Sequence, residues 1–244
     1  MAKVYIDGQA GTTGLEIFSR IQSRDDLTLL RIDEKKRHDR EARRAFINEA
    51  DICFLCLPDD AAREAVSLVE SDTVTVIDCS TAHRTDAAWT YGFPELNEGQ
   101  REAIRTSRRI ANPGCHATGF ISCTAPLVQH GLLPKDYPLT CFSLTGYSGG
   151  GKRMIADYEQ AGRAEALSSP GIYGLSLTHK HLPEMQKMAG LEVAPVFLPV
   201  VDDYYKGMAT SIMLHNELLR KVTDARDVHA CLEAHYAGQK LVKV

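Results

Sequence analysis

The feature that most constrains the fold is a strand that runs into a glycine loop and then a helix at the N-terminus. The strand spans 4–6, the loop spans 8–14, and apolar residues at helical spacing follow. Such a loop lets the backbone approach a pyrophosphate, and the helix start directs N–H groups at it. Its G-x-x-G-x-x-G spacing departs from the common G-x-G-x-x-G pattern, so a simple turn is the alternative. The candidate cofactor-binding residues are Gly8, Gly11, Thr12, Thr13 and Gly14.

Strands and helices continue to alternate along the first half of the chain. The pattern predicts strands at 27–32, 52–57 and 74–78 and a helix at 61–69. Nearly continuous apolar strands joined by helices indicate a parallel sheet that is covered on both faces. The sequence therefore predicts an α/β fold with a Rossmann-type nucleotide-binding domain over residues 1–112.

The pattern changes after residue 112. Strands are predicted at 139–144, 193–198 and 210–214, and a helix at 225–234. We therefore expect a second, α+β catalytic and dimerisation domain over residues 113–244.

Charged residues near the end of the second predicted strand bear on the choice of cofactor. Asp33 lies 19 residues after Gly14, where an acidic residue usually contacts a ribose 2′-hydroxyl and favours NAD. The basic residues around it could hold a 2′-phosphate instead: Arg31, Lys35, Lys36 and Arg37. This cluster favours NADP over NAD, although a solvated charged loop is the alternative. Pro58 follows the third strand, at the edge where open α/β sheets bind ligands.

One cysteine, Cys115, lies on a tight turn in front of a helical pattern. Asn112, Pro113 and Gly114 precede it, and proline and glycine break regular structure. A thiol at a helix N-terminus loses its proton more readily, and the thiolate is the nucleophile. Cys115 is therefore the candidate nucleophile, with a small buried hydrophobic residue as the alternative.

Three further groups of residues are candidates for catalysis or anion binding. Ser80 and Arg84 follow the fourth strand, and the planar guanidinium suits phosphate or carboxylate, with a surface ion pair as the alternative. Gly149 belongs to a run of three glycines before a lysine, which is either an anion-binding nest or a flexible loop. His179 and His181 could supply a general acid or base, and their spacing does not choose between them.

Composition excludes several classes of function. A net charge of −4 gives no electrostatic reason to expect nucleic acid or an anionic membrane as a partner, and no apolar run approaches a spanning helix. Seven cysteines without disulfide spacing favour the reducing cytoplasm, and the immediate first strand leaves no room for a signal peptide. Cys53 and Cys56 match C-x-x-C within a buried strand, so we expect core packing and no metal site.

Six sequence blocks resemble the N-acetyl-γ-glutamyl-phosphate reductase family, which is related to aspartate-semialdehyde dehydrogenase and more distantly to glyceraldehyde-3-phosphate dehydrogenase. They occur in the family's order and span most of the chain: 8–14, 78–84, 91–97, 112–118, 146–152 and 179–184. The wording of 80–84 is most similar to the shorter of the family's two sequence types.

The resemblance implies a reaction of arginine biosynthesis and roles for the candidate residues. Cys115 would attack N-acetyl-L-glutamyl 5-phosphate and form a thioacyl enzyme, which NADPH would reduce to N-acetyl-L-glutamate 5-semialdehyde. His179 or His181 would move the proton. The residues implied to bind the substrate or its phosphate are Ser80, Arg84, Asn112 and Gly149. The resemblance also implies a cytoplasmic homo-oligomer, either a dimer or a tetramer.

The chain departs from the family near its end. Family members usually continue into a glycine-rich Lys-Gly segment and a long final helix, and this sequence stops at 241–244, so we expect either a truncated sequence or a shortened variant of the family. Two alternatives stay open: an enzyme similar to aspartate-semialdehyde dehydrogenase, and a catalytically silent dinucleotide-binding module.

Overall fold

The computed structural model describes residues 1–222 and 224–244, which form two compact units. One unit comprises Met1–Gly92 and Glu102–Pro113, and the other comprises Phe93–Arg101 and Gly114–Val244. The chain thus crosses between the units three times, so that the short segment Phe93–Arg101 belongs with the second half of the sequence. The division into domains at 1–112 and 113–244 stays a prediction.

The first unit is built on a six-stranded, fully parallel sheet with the order β2-β1-β3-β4-β6-β5. Its strands are β1 (Ala2–Asp7), β2 (Leu27–Leu30), β3 (Ile52–Leu55), β4 (Thr75–Asp78), β5 (Thr90–Tyr91) and β6 (Arg109–Ala111). Its helices are α1 (Thr12–Ile21), α2 (Arg40–Glu49), α3 (Asp59–Ser67) and, from Glu102 onward, α4 (Gln100–Thr106). The strand order reverses direction between β1 and β3, as in doubly wound folds, which bind ligands at that point.

Both faces of this sheet are covered, because successive residues of a strand point to opposite sides. Tyr5 of β1 lies in one apolar core together with Ile47 of α2 and Ala65 of α3. Its neighbours Val4 and Ile6 lie in a second core with Ile21 of α1. The predicted α/β class with a parallel sheet is therefore confirmed.

The second unit contains a mixed four-stranded sheet with the order β10-β7-β9-β8. Its strands are β7 (Thr140–Gly146), β8 (Gly171–Ile172), β9 (Val196–Asp202) and β10 (Met208–Met213). Its helices are α5 (Cys115–Gln129), α6 (Gly151–Glu159), α7 (Leu182–Ala189) and α8 (Ala225–His235). Helix α5 packs on β10 and on both α7 and α8, and these contacts fix the helix that begins at Cys115.

Proline inside α5 is accommodated by a substitute hydrogen bond. Pro126 has no N–H, so it cannot bond the carbonyl of Ser122 one turn earlier. The hydroxyl of Tyr236, which follows α8, donates to that carbonyl at 2.8 Å instead. The hydrogen bond that replaces the missing one in α5 therefore connects α5 to Tyr236, directly after α8.

Several predicted elements have different bounds in the structure. The second strand ends at Leu30 rather than at residue 32, and the third ends at Leu55 rather than at residue 57. In both cases the two residues after the strand line the cavity that is described below. The strand predicted at 193–198 is β9 at Val196–Asp202, which continues through Pro199, whose carbonyl accepts a hydrogen bond from the Tyr173 N–H. Residues 40–49, 100–106, 151–159 and 182–189 are helical without having been predicted so.

Across the described ranges, none of the helices combines the length and the apolar character that a membrane span requires.

Candidate active site

The glycine loop of the first unit is tight at two of its predicted positions. Gly8 has a φ of +86°, and a Cβ there would lie 2.3 Å from the carbonyl oxygen of Cys56. A Cβ on Gly14 would lie 2.5 Å from the carbonyl oxygen of Gly8. The loop therefore needs glycine at both positions in order to fold back on itself and on the end of β3. Gly11 then serves as the N-cap of α1, with no side chain on the helix's first N–H groups.

A cavity of about 900 Å³ opens where the strand order reverses. Gly8 and Gly11 line it from the loop after β1, and Pro58 lines it from the loop after β3; the cofactor contacts expected of them stay predictions. The other predicted cofactor residues, Thr12, Thr13, Gly14 and Asp33, are not among its lining residues. The volume, the position and the glycine loop suit an elongated ligand with a phosphate group.

Basic side chains are concentrated in this cavity, and the innermost one is paired. Arg43 of α2 is buried, and its Nε donates to Asp7 Oδ2 at 3.0 Å while its Nη1 donates to Glu64 Oε2 at 3.2 Å. Burial raises the pKa of Asp7, and the Arg43 guanidinium partly offsets this effect. Arg31 and Arg37 also line the cavity and are more exposed; the Arg31 guanidinium lies over the Phe18 ring, and Arg37 Nη1 donates to Oε1 of Glu34 at 2.9 Å.

Asp33 has a local structural task. Its carboxylate accepts a hydrogen bond from the Lys35 N–H at 2.9 Å and thereby caps the short 3₁₀ helix Glu34–Lys36. The contact that the sequence predicted between Asp33 and a ribose stays a prediction, and Glu34 is the acidic residue of this loop that lines the cavity.

The segment after β4 is held by a buried carboxylate. Asp78 is fully buried and accepts hydrogen bonds from the Ser80 N–H at 2.9 Å and from the Ser80 hydroxyl at 2.7 Å. Its Oδ2 also lies 2.7 Å from His83 Nδ1, and the His83 ring stacks on Trp89. The predicted Ser80 thus has its hydroxyl engaged within its own loop.

Arg84 binds backbone carbonyls at the ends of two adjacent strands. Its Nε donates to the Asn112 carbonyl at 2.9 Å, and its Nη2 donates to the Cys79 carbonyl at 3.1 Å. Asn112 follows β6 and Cys79 follows β4, so the guanidinium joins the ends of these two strands. Arg84 therefore fixes the backbone of Asn112, the first residue of the motif that leads to Cys115.

In the second unit, Cys115 is the first residue of α5 and is exposed. Gly114 is the N-cap and offers no side chain to the helix start. The Gly114 N–H donates to Oε1 of Glu184 at 2.7 Å, and Glu184 is almost completely buried in the first turn of α7. The turn predicted before the nucleophile is thus anchored by a carboxylate from a helix about 70 residues away.

The next residue, His116, is buried and has a partner at each ring nitrogen. Its Nδ1 lies 2.7 Å from Ser143 Oγ in β7, and its Nε2 lies 2.7 Å from the Tyr173 hydroxyl. Burial lowers the pKa of His116 to about 4, and the charge of His179 contributes to the same shift. His116 is therefore neutral near pH 7.

His179 and His181 lie next to His116 in one cluster of rings. The centroid of His116 is 6.1 Å from that of His179 and 5.9 Å from that of His181, and the latter two are 4.8 Å apart. His181 is the N-cap of α7 and is buried, whereas His179 is half-buried. Burial lowers the pKa of His179, and the Lys180 charge adds to this effect. The structure thus brings both candidate histidines together beside the residue after Cys115.

Gly149 occupies an exposed position in the 3₁₀ helix Tyr147–Gly150, which leads directly into α6. The glycine run is therefore ordered into helical turns. Among the residues described, no group of three or more His, Cys, Asp or Glu side chains is arranged to hold a metal ion.

Several residues of these sites escaped sequence reasoning. Glu184 had a signal, because a proline followed by an acidic residue marks a first helical turn, which is where it lies. His116 and Tyr173 had none, since a histidine in a helix and a tyrosine in a loop carry no pattern that pairs them. Arg43 lies in a helix that was not predicted.

Comparison with known proteins places these features in a family context. The family described as "Semialdehyde dehydrogenase, NAD binding domain" matches residues 3–107, and "Semialdehyde dehydrogenase, dimerisation domain" matches residues 115–244. The first unit thus carries a domain that binds a nicotinamide dinucleotide.

Two relatives illustrate how similar the chain is along its length. It is 47% identical to the N-acetyl-gamma-glutamyl-phosphate reductase of Trichormus variabilis, over 99% of this chain and 76% of that protein. It is 51% identical to N-acetyl-gamma-glutamyl-phosphate reductase 2 of Pseudomonas putida, over 99% of this chain and 77% of that protein.

Solved structures share the fold at low identity. The aspartate semialdehyde dehydrogenase of Francisella tularensis superposes with a TM-score of 0.69 at 14% identity, covering 96% of this chain and 81% of that one. The aspartate semialdehyde dehydrogenase with NADP from Candida albicans superposes with a TM-score of 0.59 at 13% identity, covering 95% of this chain and 76% of that one.

Proposed function

The chain belongs to the N-acetyl-γ-glutamyl-phosphate reductase family, and we propose that it catalyses the reaction named there: reduction of N-acetyl-L-glutamyl 5-phosphate to N-acetyl-L-glutamate 5-semialdehyde and phosphate. The observation that carries the proposal is Cys115, an exposed thiol at the first position of α5 with its turn anchored by Glu184. A nucleophilic thiol at a helix N-terminus is the group that an acyl phosphate requires.

Cys115 would act as the nucleophile. Its thiolate would attack the acyl carbon, a carbon–sulfur bond would form, and the carbon–oxygen bond to phosphate would break. The N–H groups of the first turn of α5 point out of the helix start, where Cys115 lies, and the N-cap residue Gly114 has no side chain that could accept from them. They would stabilise the negative charge that develops on the acyl oxygen during the attack.

The proton transfers are assigned to the pair His179 and His181. One ring would protonate the oxygen that forms on reduction of the thioester, giving a hemithioacetal. The same ring would take that proton back as the carbon–sulfur bond breaks, so that the aldehyde forms and Cys115 leaves as the thiolate. The neighbouring His116 is neutral near pH 7 and has both nitrogens engaged, so it is a poor candidate for this transfer. Comparing the pH profiles of H179N and H181N identifies the ring that carries the proton.

The cavity of the first unit fits a nicotinamide dinucleotide. Gly8 and Gly14 leave no room for a Cβ, and α1 begins at the loop with uncapped N–H groups that suit a pyrophosphate. The Thr12 hydroxyl at this helix start is buried and lacks a hydrogen-bond partner among the described residues. When bound, NADPH supplies the hydride that reduces the thioester.

We propose NADP rather than NAD because two arginines of the cavity follow β2. Arg31 and Arg37 lie beyond the end of β2, where the adenine ribose of a doubly wound fold is bound and a 2′-phosphate needs a basic partner. R37A and R31A are each expected to raise the Kd for NADPH about tenfold and to leave the Kd for NADH within twofold. R24A, at an exposed arginine outside this cavity, is the matched control.

Four residues are proposed to bind the substrate and its phosphate: Ser80, Arg84, Asn112 and Gly149. The engagement of Arg84 with the Asn112 carbonyl supports a second task for it, which is to hold the chain that leads to Cys115. R84A is therefore expected to raise KM for the phosphorylated substrate.

The test is the reverse reaction, phosphate-dependent reduction of NADP by N-acetylglutamate semialdehyde. Wild-type turnover that disappears in C115S, while the Kd for NADPH changes less than threefold, would establish the reaction and the nucleophile together. NAD and aspartate semialdehyde are run beside the preferred pair as comparison substrates. The assignment fails if the wild type is inactive, or if C115S keeps the wild-type rate.

Assembly and compartment complete the proposal. The match of residues 115–244 to a dimerisation domain supports a homodimer or tetramer, which light scattering measures directly. All seven cysteines are free thiols, which supports a reducing cytoplasm as the place of action.

A further inference from the structure

The turn between β9 and β10, at residues 203–207, lies against the segment 146–151, which contains the run of three glycines. Three backbone N–H groups of this glycine segment donate to carbonyls of the turn, at 2.9, 2.9 and 3.2 Å: Tyr147 to Tyr204, Ser148 to Tyr205, and Gly146 to Gly207. These hydrogen bonds would be lost if the segment moved away from the turn. The position of the glycine segment therefore depends on the position of the turn.

The two backbones also approach each other closely at Gly146. A Cβ at this position would lie 2.5 Å from the Tyr204 carbonyl oxygen and 2.8 Å from the Lys206 nitrogen. Any other residue would therefore push the turn away, and glycine is needed here because it has no Cβ. The turn and the glycine segment are thus in direct backbone contact.

An ion pair holds the turn in this place. Arg163 Nη1 donates to Asp203 Oδ1 at 2.7 Å, and Arg163 Nη2 donates to Asp203 Oδ2, so the contact is bidentate. The two side chains are 29% and 31% exposed, so water and salt screen the pair less than they would screen a fully exposed one. Arg163 Nη1 also donates to the Tyr158 carbonyl at 3.0 Å, in the last turn of α6. The ion pair therefore ties the turn to the helix that begins at the end of the glycine segment.

Aromatic packing joins the same three parts of the second unit. The ring of Tyr147, in the glycine segment, stacks on the ring of Tyr158 in α6, with centroids 4.6 Å apart. The ring of Tyr205, in the turn, meets the Tyr147 ring edge-on at 5.8 Å. Both are favourable arrangements of aromatic rings. The segment, the helix and the turn therefore form one packed group, in which the ion pair supplies the charged contact.

We propose that Arg163 and Asp203 are positioning residues for substrate binding, because their ion pair holds the turn on the glycine segment before the substrate arrives. The proposal rests on the proposed function, in which Gly149 of this segment binds the substrate. Glycine loses more conformational freedom on ordering than any other residue, and the segment has three in a row at 149–151. A segment that is already ordered loses less freedom when the substrate binds, so the affinity for the substrate is higher.

The first test is steady-state kinetics of the reverse reaction with D203A and R163A. Each is expected to raise KM for N-acetylglutamate semialdehyde about fivefold, while kcat and the Kd for NADPH stay within about twofold of the wild type. The double variant R163A/D203A is expected to be no worse than either single variant, because both remove the same contact. S168A is the matched control: it removes the Ser168 hydroxyl, to which Arg163 Nη2 donates at 3.4 Å, and leaves the pair with Asp203 intact. An unchanged KM in D203A, or a fall in kcat alone, overturns the proposal.

The second test is hydrogen exchange, measured by mass spectrometry on peptides that cover 146–151. The Tyr147 and Ser148 N–H groups are expected to exchange about fivefold faster in D203A and R163A than in the wild type, and at the wild-type rate in S168A. Unchanged exchange in D203A overturns the proposal, since the ion pair then does not hold the segment. Exchange needs neither substrate nor turnover. A wild type without reductase activity would therefore overturn the proposed function, while faster exchange in D203A would still support the hold of the ion pair on the segment.

Discussion

The carboxylate of Glu184 offers the sharpest test of how the nucleophile is held. It accepts the Gly114 N–H at 2.7 Å and is only 1% exposed. Truncation in E184A leaves that buried N–H unsatisfied, and loss of a hydrogen bond to a charged group costs about 1.5–3 kcal/mol. E184Q keeps an acceptor oxygen at the same position, so we expect it to lose about 1 kcal/mol.

Urea titration measures both values as shifts in midpoint at unchanged m-value. E192A, at an exposed glutamate shortly after α7, is the control and is expected to stay within about 0.5 kcal/mol of the wild type. The turn before Cys115 also loosens in E184A, so we expect kcat to fall about tenfold or more, with a smaller effect in E184Q. Equal stability and equal kcat in E184A and E184Q would refute the reasoning, since only one of them retains the acceptor.

Three further predictions concern single contacts. R84K keeps the charge but loses the planar fork to the Asn112 carbonyl, so we expect a loss of about 1–2 kcal/mol in unfolding free energy and a higher KM for phosphate in the reverse assay. Y236F leaves the Ser122 carbonyl without its donor and should cost about 1–3 kcal/mol in a urea titration. The pKa of His116 is about 4 in the folded state, below its unfolded value near 6.5, so the unfolded chain binds more protons between these values. The contribution of His116 to the free energy of unfolding is therefore fully present above about pH 6.5 and falls by about 3 kcal/mol toward pH 4. This loss should be smaller in H116Q.

Each of these has an outcome that contradicts it. If R84K changes KM without changing stability, Arg84 binds phosphate and does not hold the strands together. In a P126A background the new N–H can bond Ser122, so Y236F should cost less there; an equal cost in both backgrounds rejects the link. Identical stability slopes in wild type and H116Q between pH 6.5 and pH 4 would remove His116 as the source of the acid sensitivity.

Local pattern was enough to predict strands β1 to β4 of the first unit's sheet and the position of Cys115, whereas the short strands β5 and β6 were not predicted. Gly8 and Gly14 lie between a predicted strand and a predicted helix, and few folds place a glycine loop there. Pro113 and Gly114 likewise mark a turn wherever they occur, and α5 begins directly after them. In both cases the information lies within about ten residues, so no knowledge of distant contacts was needed.

Four helices were beyond this kind of reasoning: α2, α4, α6 and α7. Helix α2 is strongly charged, and only two of its residues, Arg43 and Ile47, are buried, so its apolar signal is too sparse to read. Asp33 has a contact that its position alone did not predict. Its carboxylate accepts a hydrogen bond from a backbone N–H two residues away, because aspartate competes for local donors in turns, and its ribose contact stays a prediction.

The partners of Gly114 and His116, the residues on either side of Cys115, could not be predicted, because they come together only in three dimensions. Glu184 lies 70 residues beyond Gly114, and Tyr173 lies 57 residues beyond His116. Both arrive through the packing of α5 against α7 and the sheet, and that packing depends on apolar residues with no chemistry of their own. Burying a carboxylate or a neutral histidine lowers the stability of the fold unless the group is hydrogen-bonded. Two such buried, hydrogen-bonded groups hold the residues on either side of one exposed thiol, and this arrangement is typical of a site that fixes the position of a reactive group. The strongest sign of function in the second unit is therefore the set of hydrogen bonds that holds Gly114 and His116 beside Cys115, and the sequence of the motif alone does not predict it.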